Sequence, residues 1–385
     1  MIPLDSRGAP SWTLLGLGVA ALILTGCGVG SNSADPAPPA SPSPLPAASP
    51  SATPSPSPVL PAHPLSGRPV QNPSKPILAL KIDNAAGARP HRGLQAADLV
   101  FIEAVEGGYN RFIAVYSSTL PREVGPVRSA RISDIELLEQ FGRVAFGYSG
   151  SRTSLRPALA AANTLDVSAW GGPEGWKYAP DRYSPHNLIA SPEGLLARAA
   201  RKGEVATSRD MGWQFDSTPM MRGWQVDSAT ITYPATKVAF TWDVPRREWL
   251  LALDGEPDID TYTNRQIGAT TVIVQIVEQS ASQYRDRHGG VTPLQKTVGE
   301  GRALFLRDGR AVWGRWSRPQ PSDATAFSVA GQPFAMSPGQ VWIGLVDSPR
   351  AVTTTPESPR PTPEASPSSG VVTSPSPSTT VRAIT

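Results

Sequence analysis

One cysteine in 385 residues cannot close an internal disulfide, so the fold must rest on its core alone. Histidine is scarce at four, and neither His91 nor His288 has a partner at metal-ligand spacing, so neither a zinc site nor a cofactor is expected. Net charge is also low, +3, with no dense basic run, which argues against a nucleic-acid partner. Of the 35 cationic side chains 29 are Arg and six are Lys, a bias that codon composition produces, so Arg abundance is not itself a sign of anion binding. A long apolar run is missing too. The stretch from Thr13 to Leu24 falls short of the roughly 20 residues that span a bilayer and matches a signal-peptide core.

That stretch ends in Leu24-Thr25-Gly26-Cys27, which reads as a lipobox: small residues leave room for a peptidase to cut, and the thiol accepts a diacylglycerol. The preceding segment is weakly basic, with Arg7 offset by Asp5. The expectation is a lipoprotein signal peptide over 1–26, lipidation of Cys27, palmitate included, and a chain held on the outer face of a cell membrane. Acylation of Cys27 uses the only thiol. Thiolate metal sites, cysteine nucleophiles and redox chemistry are then excluded for the folded part.

Proline divides the rest, with 14 of the 42 between Pro36 and Pro73 and eight between Pro349 and Pro377. Such segments bury too little apolar surface to offset ordering entropy. Residues 27–74 are expected to form a disordered tether reaching on the order of 100 Å at about 3.1 Å per residue, and 349–385 a disordered Pro/Ser/Thr-rich tail. Between them an α+β body is predicted as two domains, a mixed α/β domain over 75–215 and a smaller β-rich domain over 225–348. In the first, 77–82 reads as a strand, 99–105 and 112–116 as a hairpin, 133–141 as a helix with Ile135, Leu138 and Phe141 inward and Ser133 and Glu136 at capping-box spacing. Strand 144–146 leads to helices near 155–162 and 191–201. The second is a series of short β-rich runs, among them 271–277 and 341–346, punctuated by Asp254-Gly255 and Asp308-Gly309.

A two-residue Gly107-Gly108 turn would pair Ala104 with Arg111, place Glu106 and Arg111 on one face as a cross-strand ion pair, and turn Glu103 to the other. Next comes Gly125-Pro126-Val127-Arg128-Ser129-Ala130-Arg131, running into the first helix. Free amides at a helix start attract anions, and two guanidiniums beside them add bidentate donors. The opposing expectation is that both arginines serve carboxylates such as Asp83, Glu103 or Glu106.

Lys81-Ile82-Asp83-Asn84, Ala88-Arg89-Pro90, Gly93-Leu94, Ala97-Asp98, Glu106-Gly107-Gly108, Arg111-Phe112, the Gly125–Arg131 segment and Pro185-His186-Asn187-Leu188 together resemble the YerB-like lipoproteins. The resemblance extends over most of the body and implies a two-domain extracytoplasmic lipoprotein, with no reaction attached. Candidate ligand-binding residues are Arg89, Arg111, Arg128, Arg131 and Asn187, and candidate catalytic groups are Asp83, Glu106 and His186. Gly147-Tyr148-Ser149-Gly150-Ser151 lacks the last glycine of a nucleophile elbow and reads as a turn. Trp313 and Trp316 could stack on a glycan but suit a β core better. Two functions stand: an envelope module binding an anionic wall component or envelope protein, favoured, and an envelope phosphoryl or glycosyl transferase or hydrolase.

Overall fold

A computed structural model of the chain describes residues 60–357; the signal peptide, Cys27, most of the tether and most of the tail lie outside the described residues. Strands dominate, and the helices are few and short. The first half contributes β1 (Leu78–Ile82), β2 (Leu99–Ala104), β3 (Asn110–Tyr116), α1 (Ser133–Glu139), β4 (Val144–Gly147), α2 (Arg156–Ala161), β5 (Thr164–Asp166), β6 (Trp176–Tyr178), β7 (Leu188–Ala190) and α3 (Pro192–Ala200). Ser191 caps α3, its hydroxyl accepting from the Gly194 amide at 3.4 Å. The second half supplies β8 (Ser228–Thr232), β9 (Lys237–Asp243), β10 (Glu248–Leu253), β11 (Thr271–Ile276), β12 (Glu278–Arg285), β13 (Val291–Lys296), β14 (Gly299–Arg307), β15 (Arg310–Arg318), β16 (Ala326–Val329), β17 (Val341–Val346) and β18 (Val352–Thr355). The Asp308-Gly309 turn joining β14 to β15 has both residues at positive φ, 52° and 68°, the backbone that a two-residue hairpin demands.

One mixed twelve-stranded sheet runs through both halves, in the central order β16-β15-β14-β11-β17-β2-β3-β1-β4-β5. The late strand β17 lies between β2 and β11, parallel to both, so hydrogen bonding does not stop at the expected boundary between 215 and 225. Alternation in β1 shows why this sheet is buried twice: Leu78, Leu80 and Ile82 face one way, Ala79 and Lys81 the other, and all five are inaccessible. On the first face packs a smaller sheet of β10, β9, β8 and β18, contributing Phe240, Trp249 and Leu251 to a common cluster with Phe112 and Trp342. The approach is close enough that a Cβ on Gly344 of β17 would meet Ile231 Cδ1 at 2.5 Å. On the second face α1 packs Leu137 and Leu138 against Phe101, Ile113 and Ile343.

Several expectations are corrected. Folded structure begins before residue 75, since Leu65 is fully buried, and continues past 348, where β18 pairs with β8. The β2–β3 register differs by one: Glu103 faces Arg111 and Ala104 faces Asn110. The reason is the connection, a 3-10 turn over Glu106–Gly108 in place of a two-residue loop, and a one-residue slip moves every side chain to the opposite face. In α1 Ser133, Asp134, Leu137 and Leu138 are buried and Phe141, just beyond its end, is core as expected, while Ile135 is only half-buried. No capping box forms, because Ser133 and Glu136 bond instead to β13 and the turn after it: the Gln295 amide donates to Ser133 Oγ and the Thr297 and Val298 amides to Glu136 Oε1.

Candidate functional site

The register correction gathers charge at one end of β1, β2 and β3. Lys81, Glu103 and Arg111 share the α1 face, and Asp134 from the first turn of α1 completes the group. Lys81 Nζ donates to Asp134 Oδ1 at 2.7 Å and to Glu103 Oε2, with all three side chains essentially inaccessible. Burial, with the Asp134 carboxylate alongside, pushes the Glu103 carboxyl up to about 8 in spite of Lys81. One ammonium between two carboxyls is then balanced by a proton held on Glu103 at neutral pH. This cluster was missed as a site. A lysine in the middle of the apolar run Leu78-Ala79-Leu80-Lys81-Ile82 was its signal, because a buried ammonium requires an acid partner.

Beside it, the Gly125–Arg131 segment is fixed by its backbone. The Arg128 amide donates to Lys81 O at 2.7 Å, Val127 to Leu188 O, and Ala130 to Gly150 O. The Arg131 amide goes to Asp134 Oδ2 at 2.7 Å. These amides are already occupied, so the expected anion-attracting helix start gives way to side chains. A cavity of about 200 Å³ opens here, with Arg111, Arg128 and Arg131 in its wall alongside Asp83, Glu106, Asn110, Tyr109 and Asp286.

The three arginines are not equivalent. Arg131 Nε lies 2.6 Å from Glu106 Oε1, so the expected Glu106–Arg111 pair is replaced by Glu106–Arg131. Burial works against ionisation of Glu106, but Arg131 and the Thr292 hydroxyl outweigh it and hold its pKa below the usual carboxylate value. Arg128 Nε sits 3.2 Å from Asp83 Oδ2, which also takes His186 Nδ1 at 2.7 Å. Arg111 donates one Nη1 bond, 3.0 Å, to Ser129 O, and burial among neighbouring cations lowers its pKa to about 9. Among the described residues no acceptor takes the two Nη groups of Arg128 or the Nε and Nη2 of Arg111.

Other candidates stand apart from the cavity. Arg89 is a strut, donating to Asn84 Oδ1, Leu253 O and Asp254 Oδ2 and thereby tying the first half to β10. His186 packs its ring against Gly87 and meets Asp83 without lining the cavity, and Asn187 follows it in the same loop. Asn84 and Asn110, joined at 2.5 Å, support the cavity floor, with Asn110 donating onward to Thr236 at 2.6 Å. Ser149 Oγ is 3.3 Å from Ser129 Oγ in a plain turn. His91 is buried between Asp258 Oδ2, 2.5 Å, and Asp83 O, 2.7 Å. Trp316 is core, and Trp313 carries the Arg302 guanidinium over its ring.

A strand-rich body with one sheet shared between two sequence halves is the architecture these residues define. Residues 65–205 match the family described as "Protein of unknown function (DUF3048) N-terminal domain", and 229–343 match its C-terminal domain. The chain belongs to this family. It is 26% identical over 280 residues to a Bacillus subtilis (strain 168) protein named "Putative lipoprotein YerB", a match covering 70% of this chain and 80% of the relative. The crystal structure of YerB from Bacillus subtilis shares the fold, with a TM-score of 0.64 at 22% identity, over 76% of this chain and 99% of that one.

Proposed function

We propose that this protein is a lipid-anchored module of the cell envelope that binds an anionic group of an envelope component in the Arg111–Arg128–Arg131 cavity. The observation that carries this reading is the pair of guanidiniums, on Arg111 and Arg128, that border a concave space with donors that no acceptor among the described residues uses. Guanidiniums in that state are matched to a carboxylate or phosphate. Binding is favoured over catalysis because Glu106 and Asp83 are already engaged by Arg131 and Arg128, and His186 stands off the cavity.

The anchor is supported by the Leu24–Cys27 sequence and by the relative's name. Cys27→Ala removes the acyl acceptor, so metabolic lipid labelling should vanish; undiminished labelling would end the anchor reading. The cavity is tested by titrating the full-length protein with anionic wall fragments by calorimetry. Arg128→Gln should abolish binding while unfolding free energy changes by less than about 1 kcal/mol, because the guanidinium is one-quarter exposed and Asp83 keeps its 2.7 Å contact with His186 Nδ1. Unchanged binding by that variant would refute the site.

A further inference from the structure

We infer that the anion taken by this cavity is the carboxylate of a sugar-acid ring. The inference rests on the anion-binding reading above and adds the ligand's class from size, charge and one aromatic side chain. At about 200 Å³ the cavity is smaller than the roughly 300–1,000 Å³ of sites for drug-sized ligands, so it takes a single ring or an end group. Its three arginines are matched formally by Asp83, Glu106 and Asp286. A singly charged group therefore suits it better than a phosphomonoester dianion, and the free edges of Arg111 and Arg128 present the parallel donors that a planar carboxylate accepts.

Tyr109 supplies the ring preference. It is 52% exposed yet lines the cavity, and its place follows from the 3-10 turn, where its amide donates to Glu106 O and Val105 N donates back to its carbonyl. A large aromatic face held half in water beside a polar wall is a platform for the C–H face of a pyranose. Asp286 adds an acceptor for hydroxyls: its Oδ1 takes the His288 and Gly290 amides at 2.8 Å each, while among the described residues no donor reaches Oδ2.

The test is calorimetric titration of the full-length protein with glucuronate, glucose, acetate, glucose 6-phosphate and D-alanyl-D-alanine. Glucuronate should bind, the others at least about tenfold more weakly, and Tyr109→Ala should cost glucuronate up to about tenfold without changing acetate. Arg128→Gln should abolish both. If glucuronate binds no better than acetate, if D-alanyl-D-alanine or glucose 6-phosphate binds better than glucuronate, or if Tyr109→Ala leaves glucuronate unchanged, the sugar-acid assignment fails while the anion site stands. If no anion binds in an Arg128-dependent way, both fail.

Discussion

Two adjacent clusters at the same end of the sheet use the same kinds of side chain to opposite effect. In the Lys81–Glu103–Asp134 cluster the ammonium meets both carboxyls at contact distance with water excluded, and the arrangement ties β1, β2 and α1 into one relative placement. In the Arg111–Arg128–Arg131 cluster Arg131 is held by Glu106 and by the Ser129 and Ala130 carbonyls, while Arg111 and Arg128 each keep two nitrogen groups that no acceptor takes among the described residues. Such a contrast separates charges that specify a fold from charges available to a ligand, and accessibility alone would not do so, since Arg111 and Arg131 are both half-buried.

The largest effect expected is at Lys81. Lys81→Met strands two buried carboxyls, and loss of one partner of such a group costs about 3–5 kcal/mol; denaturant unfolding measures it, and a near-neutral result would remove the structural role assigned to the cluster. An effect of similar total size, spread over several pH units, is expected in pH dependence. Glu103 has a folded pKa of about 8, raised from 4.5, so its contribution is fully present below the unfolded value and is lost as pH rises through the folded one. Stability of the natural protein should therefore fall between about pH 4.5 and 8 with a slope on the order of 1 kcal/mol per pH unit from this group. Glu103→Gln, which imitates the protonated form, should flatten that slope in urea melts across the range, and an unaltered slope would contradict the proton held on Glu103. The smallest effect is the stability change in Arg128→Gln. A loss as large as that at Lys81 would merge the two clusters into one structural unit and break the comparison.

Much of the sheet was legible because strand signals are local. Apolar runs such as 271–277 and 341–346 and the Asp-Gly turns gave strands close to their true limits. What local pattern does not encode is pairing. The β2–β3 register depended on whether Glu106 belonged to the strand or to the turn, and that single residue decided which acid met which base. Nothing in the local pattern marks Asp134 as inward, and only the tertiary position of Lys81 explains its burial. The arginines of Gly125–Arg131 were identifiable from their spacing. Their division of labour was not, because the Glu106–Arg131 pair joins residues 25 apart and involves Thr292 from the far half of the chain.

The position of β17 also bears on how the chain can be assembled during synthesis. Residues 341–346 are synthesised after every other strand of the large sheet, yet they fill its middle. Until they arrive, β2 and β11 each expose an unpaired edge of buried-type residues, Leu99-Val100-Phe101-Ile102 on one side and Val272-Ile273-Val274 on the other. The first half cannot complete its sheet in advance of the second, so the sequence halves that a family comparison separates are interdependent in time: the nascent chain carries two sticky edges until β17 closes them, in a topology of long-range pairings that folds slowly.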